Sequence, residues 1–145
     1  MVHALKEARR VLVPGGVLID TRPVTVPTAI EVSVRGQWVA VFDFDTTPGI
    51  ADDEAVERAI ESVVCAGELV REAHADFISA LYWDSAAELW NQAKEIGFRR
   101  FATPSDDDLA KVEELMRKGG IGTRIRLRDQ ILMGCYRRAE GEHDG

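Results

Sequence analysis

The residues Ala4 to Asp20 read ALKEARRVLVPGGVLID and carry the clearest structural signal in the sequence. Apolar residues at and before this stretch follow helical spacing, at positions Val2, Leu5, Ala8 and Leu12. Pro14-Gly15-Gly16 cannot continue a helix, so the helix is predicted to end near Val13. The apolar run Val17-Leu18-Ile19 follows at once and is typical of a central strand covered on both faces. The segment therefore predicts a helix that passes through a Pro-Gly-Gly turn into a buried strand.

Length, charge and cysteine content limit the class of protein. A chain of 145 residues fits one domain, and its formal net charge of −7 disfavours a general affinity for nucleic acid. Met1 is followed by charged helical sequence, and no apolar run reaches the about 20 residues that span a bilayer. Cys65 and Cys135 have no second Cys or His at metal-ligand spacing, which predicts buried free thiols. We therefore expect a cytoplasmic protein with no nucleic-acid or membrane partner.

A hairpin is predicted from Ile30 to Phe44, because apolar and polar residues alternate on both sides of Gly36. Gly36-Gln37 suits a two-residue type II′ turn, which would pair Arg35 with Trp38. One face of the hairpin would then carry Ile30, Val32, Val34, Val39 and Val41, and the other Trp38, Ala40, Phe42 and Phe44. Since both faces of the second strand are apolar, we expect helices on one side and a partner chain on the other.

The rest of the chain is predicted to be mainly helical, with two further strands. A long helix is predicted over about 52–72, and residues 77–82 continue its apolar character. Ser85 with Glu88 and Ser105 with Asp108 have the spacing of N-terminal capping boxes for two more helices. These helices would end at Gly97 and at Gly119-Gly120. Strands are predicted at 98–103 and 131–137, and a polar, disordered tail at 139–145.

Glu7 to Gly16, with the pattern E-x-x-R-V-L-x-P-G-G, resembles the segment before the fifth strand of class I S-adenosylmethionine-dependent methyltransferases. Gly97 to Phe101 resembles the sixth strand of that family. Ile131 to Arg138 resembles its last strand, which runs antiparallel to its neighbours. The resemblance implies an α/β fold: a truncated Rossmann-like half-sheet in a single domain over 1–138. A β-hairpin and long helices would be inserted at about 24–84.

The resemblance also bears on activity. In that family the preceding half of the domain holds almost all of the cofactor, through a Gly-rich loop, an acidic residue and further contacts, and this sequence has no such half. No cofactor is therefore expected for the isolated chain, although S-adenosylmethionine would bind if a partner chain supplied the missing half. A chain that starts at the fifth strand would also leave Val17 to Thr21 with an unpaired edge.

These expectations lead to two functional hypotheses. The first is a half domain that is not catalytic alone and acts as a self-associating binding or assembly module. Its homodimer interface would include Val17, Ile19, Trp38 and Phe42. The alternative is the substrate-side half of a split or truncated methyltransferase, in which the region after the fifth strand helps to form the acceptor pocket.

Two groups of charged residues are candidates for a ligand or anion site. Asp20 and Arg22 lie at the carboxyl end of the first strand, where open α/β sheets bind ligands, and Arg22 has the donors to hold a carboxylate or phosphate. Arg124, Arg126 and Arg128 alternate with apolar residues, so a strand would present all three on one face. The alternative for both groups is ion pairing within the protein. The sequence predicts no catalytic residue and no metal site.

Overall fold

The computed structural model of this protein describes residues 1–93 and 104–139. These residues form four helices and five strands in the order α1 (Val2–Val11), β1 (Val17–Val24), β2 (Ala29–Val34), β3 (Gln37–Asp43), α2 (Thr47–Cys65), β4 (Leu69–Trp83), α3 (Ala86–Gln92), α4 (Asp106–Gly119) and β5 (Ile125–Arg138). The strands form a sheet in the order β1-β5-β2-β3, and β4 also pairs with β5. The predicted α/β class is confirmed. The described residues divide into two compact units, and β4 and β5 contribute to both.

Unit 1 comprises residues 1–24, 51–77 and 131–139. The backbone N–H of Arg138 donates to the carbonyl of Gly16 (2.8 Å), and that of Ala139 donates to the carbonyl of Glu68 (3.4 Å). The end of β5 therefore lies beside the beginnings of both β1 and β4, so β5 runs antiparallel between two strands that share one direction. The core of this unit is built from Ile60, Val63, Leu69 and Tyr136, with Val2, Leu5, Leu18, Val56 and Val64 packed against it. Helices α1 and α2 thus cover one face of the three strands.

Unit 2 comprises residues 25–50, 78–93 and 104–130. Here β2 pairs with β3 and with the first part of β5, both antiparallel, and Ile30 faces Leu127 across the second ladder. Helices α3 and α4 pack on one face of these strands. The buried core consists of Ile30, Val32, Phe44, Trp83, Ala86, Leu89, Val112, Ile125 and Leu127. Apolar residues of β5 alternate with arginines, so its apolar face lies in the core and its arginines lie on the other side.

The hairpin forms, but its predicted turn is wrong. Its two loop residues are Arg35 and Gly36, with φ angles of 51° and 80°, and Val34 pairs with Gln37. Two consecutive positive φ angles are required by a type I′ turn, whose twist suits a hairpin better than the twist of most other turns. The register also shifts between Ile30 and Glu31, which face Phe42 and Ala40. The extra residue of this β-bulge moves Phe42 to the core side of the sheet.

The predicted long helix over 52–72 is wrong at both ends. Helix α2 begins at Thr47, and Pro48 is tolerated there because the first turn of a helix needs no intrahelical N–H donor. The helix ends at Cys65, and Gly67 has a φ of 69°, a left-handed conformation common after a helix. Leu69–Trp83 is then strand β4, although its second half was predicted to be helical in character.

Both predicted N-caps are present, but the complete capping box forms only at α4, because the carboxylate of Glu88 accepts from the backbone of Asp84 instead of Ser85. The hydroxyl of Ser85 accepts a hydrogen bond from the backbone of Glu88 (3.1 Å) at the start of α3. At the start of α4, Ser105 accepts from the backbone of Asp108 (3.2 Å), whose carboxylate accepts from the backbone of Ser105 (3.2 Å). Helix α4 ends at Gly119 as predicted, and the last strand begins at Ile125, six residues earlier than predicted. The predicted stop at Gly97, the strand at 98–103 and nearly all of the tail lie outside the described residues.

Candidate functional site

The outer edge of β1 is free among the strands that the structure describes, because β1 pairs only with β5. The carbonyl of Gly16 points toward β5, where it accepts from Arg138. Since backbone groups alternate in direction along an antiparallel strand, the N–H and C=O groups of Val17, Ile19 and Thr21 point away from β5. Pro23 would be next on this edge and has no N–H to offer. The free edge therefore extends from Val17 to Thr21, as the family resemblance implies. The prediction of a central strand covered on both faces is wrong, because β1 is an edge strand with Val17 and Ile19 exposed.

The sheet of unit 1 also has an uncovered, partly apolar face. Leu18, Leu69 and Tyr136 point toward the helices, so residues at odd spacings from them along each strand point the other way. Four apolar side chains on that second face are exposed: Val17 (41%), Ile19 (54%), Val70 (51%) and Met133 (38%). No described helix of unit 1 covers them. We call these four residues the bare face of unit 1.

Asp20 and Arg22 lie on the helix-facing side of β1, where an ion-pair network uses their charges. Arg22 lies 3.3 Å from the carboxylate of Asp20 and also binds Glu57 of α2. Its side chain is only 12% exposed. Arg71 continues the network, with its guanidinium 3.8 Å from Glu57 and 3.0 Å from Glu61. The geometry favours the ion-pair interpretation of Arg22, because the two neighbouring carboxylates already balance its charge.

Arg124, Arg126 and Arg128 belong to unit 2, and each is paired with an acid. Arg124 donates to Asp84 (2.8 Å), whereas Arg126 (2.7 Å) and Arg128 (3.2 Å) share the carboxylate of Glu31. All three project from the side of β5 opposite the core residues Ile125 and Leu127, as predicted. Asp20 and Arg22 lie in unit 1, whereas these three arginines lie in unit 2.

Aromatic rings stack on two of these arginines. The guanidinium of Arg126 lies 4.0 Å from the ring centre of Trp38, and that of Arg124 lies 4.9 Å from the ring centre of Tyr82. The two rings are 6.0 Å apart. Cation–π contacts of this kind contribute about 0.5–2 kcal/mol each. The rings and guanidinium groups of this layer therefore bind one another. We call it the aromatic layer of unit 2, and it consists of Trp38, Tyr82, Arg124 and Arg126.

The predicted interface residues have different environments. Val17 and Ile19 are exposed on the bare face, and Trp38 lies in the aromatic layer, away from the core. The predicted position of Phe42 beside Trp38 is wrong. Phe42 packs against the core of unit 2, with its ring 5.1 Å from that of Phe44 in an edge-on arrangement, because the bulge turns it inward.

A cavity of about 430 Å³ opens in unit 2, and its size is that of a small-molecule site. It is lined by Val26, Pro27, Thr28, Ala29, Glu31, Ala40, Asp43, Ile78, Arg128 and Gln130. The hydroxyl of Thr28 donates to the carbonyl of Arg128 (2.6 Å), which fixes the segment after β1 against β5. Sequence reasoning missed this cavity, since its lining comes from four separate parts of the chain.

A smaller cavity of about 120 Å³ in unit 1 is lined by Glu57, Arg71, His74, Leu132, Gly134 and Tyr136. Burial raises the pKa of the Tyr136 phenol, and the nearby Arg71 opposes that rise. A phenol whose pKa is raised stays protonated at neutral pH and acts only as a hydrogen-bond donor or acceptor. Tyr136 is therefore not an activated nucleophile or a general base in this cavity.

The described part of the chain has no cluster of His, Cys, Asp and Glu that could hold a metal ion. Cys65 is exposed and Cys135 half-buried, so the prediction of buried thiols is wrong for Cys65. None of the described helices is both long and apolar enough to cross a membrane. Comparison with known proteins found no matching family model, curated protein or solved structure.

Proposed function

We propose that this protein is a methyltransferase-like half domain that acts as a self-associating module through the free edge and bare face of unit 1. The observation that carries the proposal is the free edge at Val17–Thr21, next to an apolar face that no described helix covers. Free apolar edges recruit other strands, because their N–H and C=O groups form hydrogen bonds with a partner backbone. The proposal includes a cytoplasmic location, which the absence of disulfides at Cys65 and Cys135 supports.

The strand directions of unit 1 support the methyltransferase-like part of the proposal. In the family that the Glu7–Gly16 segment resembles, the last strand is antiparallel to its neighbours. Here β5 follows that rule, with β1 on one side and β4 on the other. Doubly wound sheets carry helices on both faces, whereas the described helices of unit 1, α1 and α2, lie on one face. The bare face is therefore where such a sheet would have its second helical layer.

The geometry of the edge favours a second copy of the chain as the partner. Two β1 strands that pair antiparallel about Ile19 would place Val17 of each copy opposite Thr21 of the other. Every outward N–H and C=O between these residues then finds a partner, and Pro23 lies beyond the ladder. The same pairing brings the exposed side chains of Val17 and Ile19 from both copies side by side. Pairing of this short strand thus gives its outward N–H and C=O groups hydrogen-bond partners and also enlarges the apolar face.

Light scattering coupled to size-exclusion chromatography tests this proposal, with Ile19→Lys as the disrupting variant. In the dimer, Ile19→Lys would place two like charges directly opposite each other at the centre of the pairing, which is destabilising. We therefore expect a dimer for the wild type and a monomer for Ile19→Lys. Val11→Lys is the matched control, because Val11 is an exposed apolar residue of α1 outside the edge (68%). It should remain dimeric. A wild-type protein that is monomeric at high concentration would refute self-association.

A second candidate function is the substrate-side half of an S-adenosylmethionine-dependent methyltransferase, completed by a partner that carries the cofactor-binding half. The 430 Å³ cavity favours it, since Val26, Pro27 and Thr28 of its lining directly follow β1. In the resembled family, the region after the corresponding strand helps to form the acceptor pocket. Titration calorimetry with S-adenosylmethionine and S-adenosylhomocysteine tests whether this chain itself contributes to a cofactor site. A purified protein that binds either compound would favour the enzyme, and a dimer that releases no heat would favour the module.

A further inference from the structure

The 430 Å³ cavity of unit 2 has an apolar floor that follows from the sequence of the hairpin. Ala29 and Ala40 are small residues on paired strands, next to the bulky aromatic layer on the same sheet face. Small side chains beside large ones leave a hollow, and the bulge between Ile30 and Glu31 increases the local twist there. Val26, Pro27 and Ile78 form apolar walls. The hollow is therefore shaped to take an apolar group.

Some charged groups at this hollow are fully paired with other side chains, and others are not. Glu31 is only 12% exposed and binds both Arg126 (2.7 Å) and Arg128 (3.2 Å), so its charge is fully used. Arg128 contacts Glu31 through a single nitrogen, Nη2, and its side chain is 58% exposed. The remaining donors of its guanidinium are open to a ligand. Asp43 is exposed and forms no ion pair with any described residue.

From these observations we infer that the cavity binds a small amphipathic zwitterion of the free amino acid class. The carboxylate of the ligand binds the open donors of Arg128, its ammonium group pairs with Asp43, and its apolar side chain packs on Val26, Pro27 and Ile78. Charge balance favours a zwitterion over a simple acid or amine. Within the set Glu31, Arg126, Arg128 and Asp43, two positive and two negative charges cancel, so a ligand with a net charge would lack a counter-ion.

The inference names a ligand class for the cavity that the second candidate function uses as its acceptor pocket. The inference rests on that candidate function only for what happens to the ligand after it binds, because binding itself needs neither cofactor nor self-association. The test is therefore made without S-adenosylmethionine, and it can succeed or fail whatever the oligomeric state. If the protein does not bind S-adenosylmethionine, the proposed amino acid site is unaffected. If it does not bind the amino acid, the cofactor titration is likewise unaffected.

The experiment titrates the protein with L-leucine, 4-methylpentanoate and 3-methylbutylamine, followed by NMR chemical shifts or calorimetry. The three probes share an apolar branch, but the acid lacks the ammonium group and the amine lacks the carboxylate. We expect leucine to bind at least about tenfold more tightly than either, since a hydrogen bond to a charged group contributes about 1.5–3 kcal/mol. Equal affinity for the three probes, or no saturable binding of leucine, would overturn the inference.

Two variants assign the charges. Arg128→Gln should weaken leucine and 4-methylpentanoate by about tenfold and leave 3-methylbutylamine unchanged, whereas Asp43→Asn should weaken leucine and the amine and leave the acid unchanged. Arg58→Gln and Asp52→Asn, at exposed positions of α2 in unit 1, are the matched controls and should bind all three probes like the wild type. A thermal melt of each variant confirms folding. Equal losses for all probes in both site variants would contradict the assigned contacts.

Discussion

Any side chain at Gly134 is expected to destabilise the protein because of Tyr136, two residues further along β5. A methyl group at Gly134 would lie 2.7 Å from Cε2 and Oη of the Tyr136 ring and 2.9 Å from its Cζ. The ring is 5% exposed in the core of unit 1, so it cannot move away without losing packing. Overpacking of this kind costs about 1–3 kcal/mol. Gly134→Ala should therefore lower the melting temperature by about 3–10 °C.

The double variant shows whether this clash is the cause. Tyr136→Leu removes the three ring atoms that the new methyl group would meet, and Gly134 does not need a positive φ that alanine would resist. In the Tyr136→Leu background, Gly134→Ala should thus be neutral or stabilise by up to about 1 kcal/mol. Urea unfolding of the four proteins measures the coupling. The same cost of Gly134→Ala in both backgrounds would refute this explanation.

Three further predictions concern the core, a helix cap and the pH dependence. Ile30→Ala empties a fully buried position of unit 2 and should lower the free energy of unfolding by about 2–5 kcal/mol in urea, whereas a loss below about 1 kcal/mol would contradict the described core. Ser105→Ala removes the cap of α4 and should cost about 1 kcal/mol in the same assay, with no effect if the cap is absent. Hydrogen bonds from Arg137 lower the pKa of Glu72 below its usual 4.5, so this pair contributes stability above that pH and loses it as the pH falls. In thermal melts across the acid range, the melting temperature of Arg137→Gln should depend less on pH than that of the wild type. An unchanged dependence would show that this pair does not cause it.

Local signals in the sequence predicted the parts of the fold that depend on nearby residues. Pro14-Gly15-Gly16 placed the start of β1 correctly, and two serines with acidic residues three positions later marked the starts of α3 and α4. A capping box or a turn acts over three or four residues, so the pattern contains nearly all of its cause. The alternation around Ile125 and Leu127 likewise predicted a strand with its arginines on one face.

The sequence failed where tertiary contacts or backbone conformation decide the outcome. The apolar residues of Leu69–Trp83 fit a helical period as well as a strand period, and the predicted helix runs past Gly67, whose left-handed conformation follows the end of α2. The hairpin turn was misplaced by one residue because Arg35 adopts a positive φ, which is uncommon outside glycine. The bulge alone accounts for the wrong side of Phe42, because moving the turn by one residue shifts the register by two and leaves each side chain on its predicted face.

The candidate site was predictable only in part, for the same reason. The free edge at Val17–Thr21 was an expectation from the family resemblance, and the run of arginines on β5 is visible as a pattern. Their partners are not, since Glu31 pairs with Arg126 across 95 residues of sequence. Likewise, a cavity lined by Val26, Asp43, Ile78 and Arg128 exists only after the strands assemble.

Hydrogen–deuterium exchange along β1, measured at protein concentrations that favour monomer and dimer, tests the central claim most directly. The amides of Val17, Ile19 and Thr21 point away from β5, so only a strand paired at the outer edge can protect them. The proposed association predicts that their exchange slows as the concentration rises, while the amides of Leu18 and Asp20 on the β5 side exchange at unchanged rates. Concentration-independent exchange at Val17, Ile19 and Thr21 would contradict association through this edge.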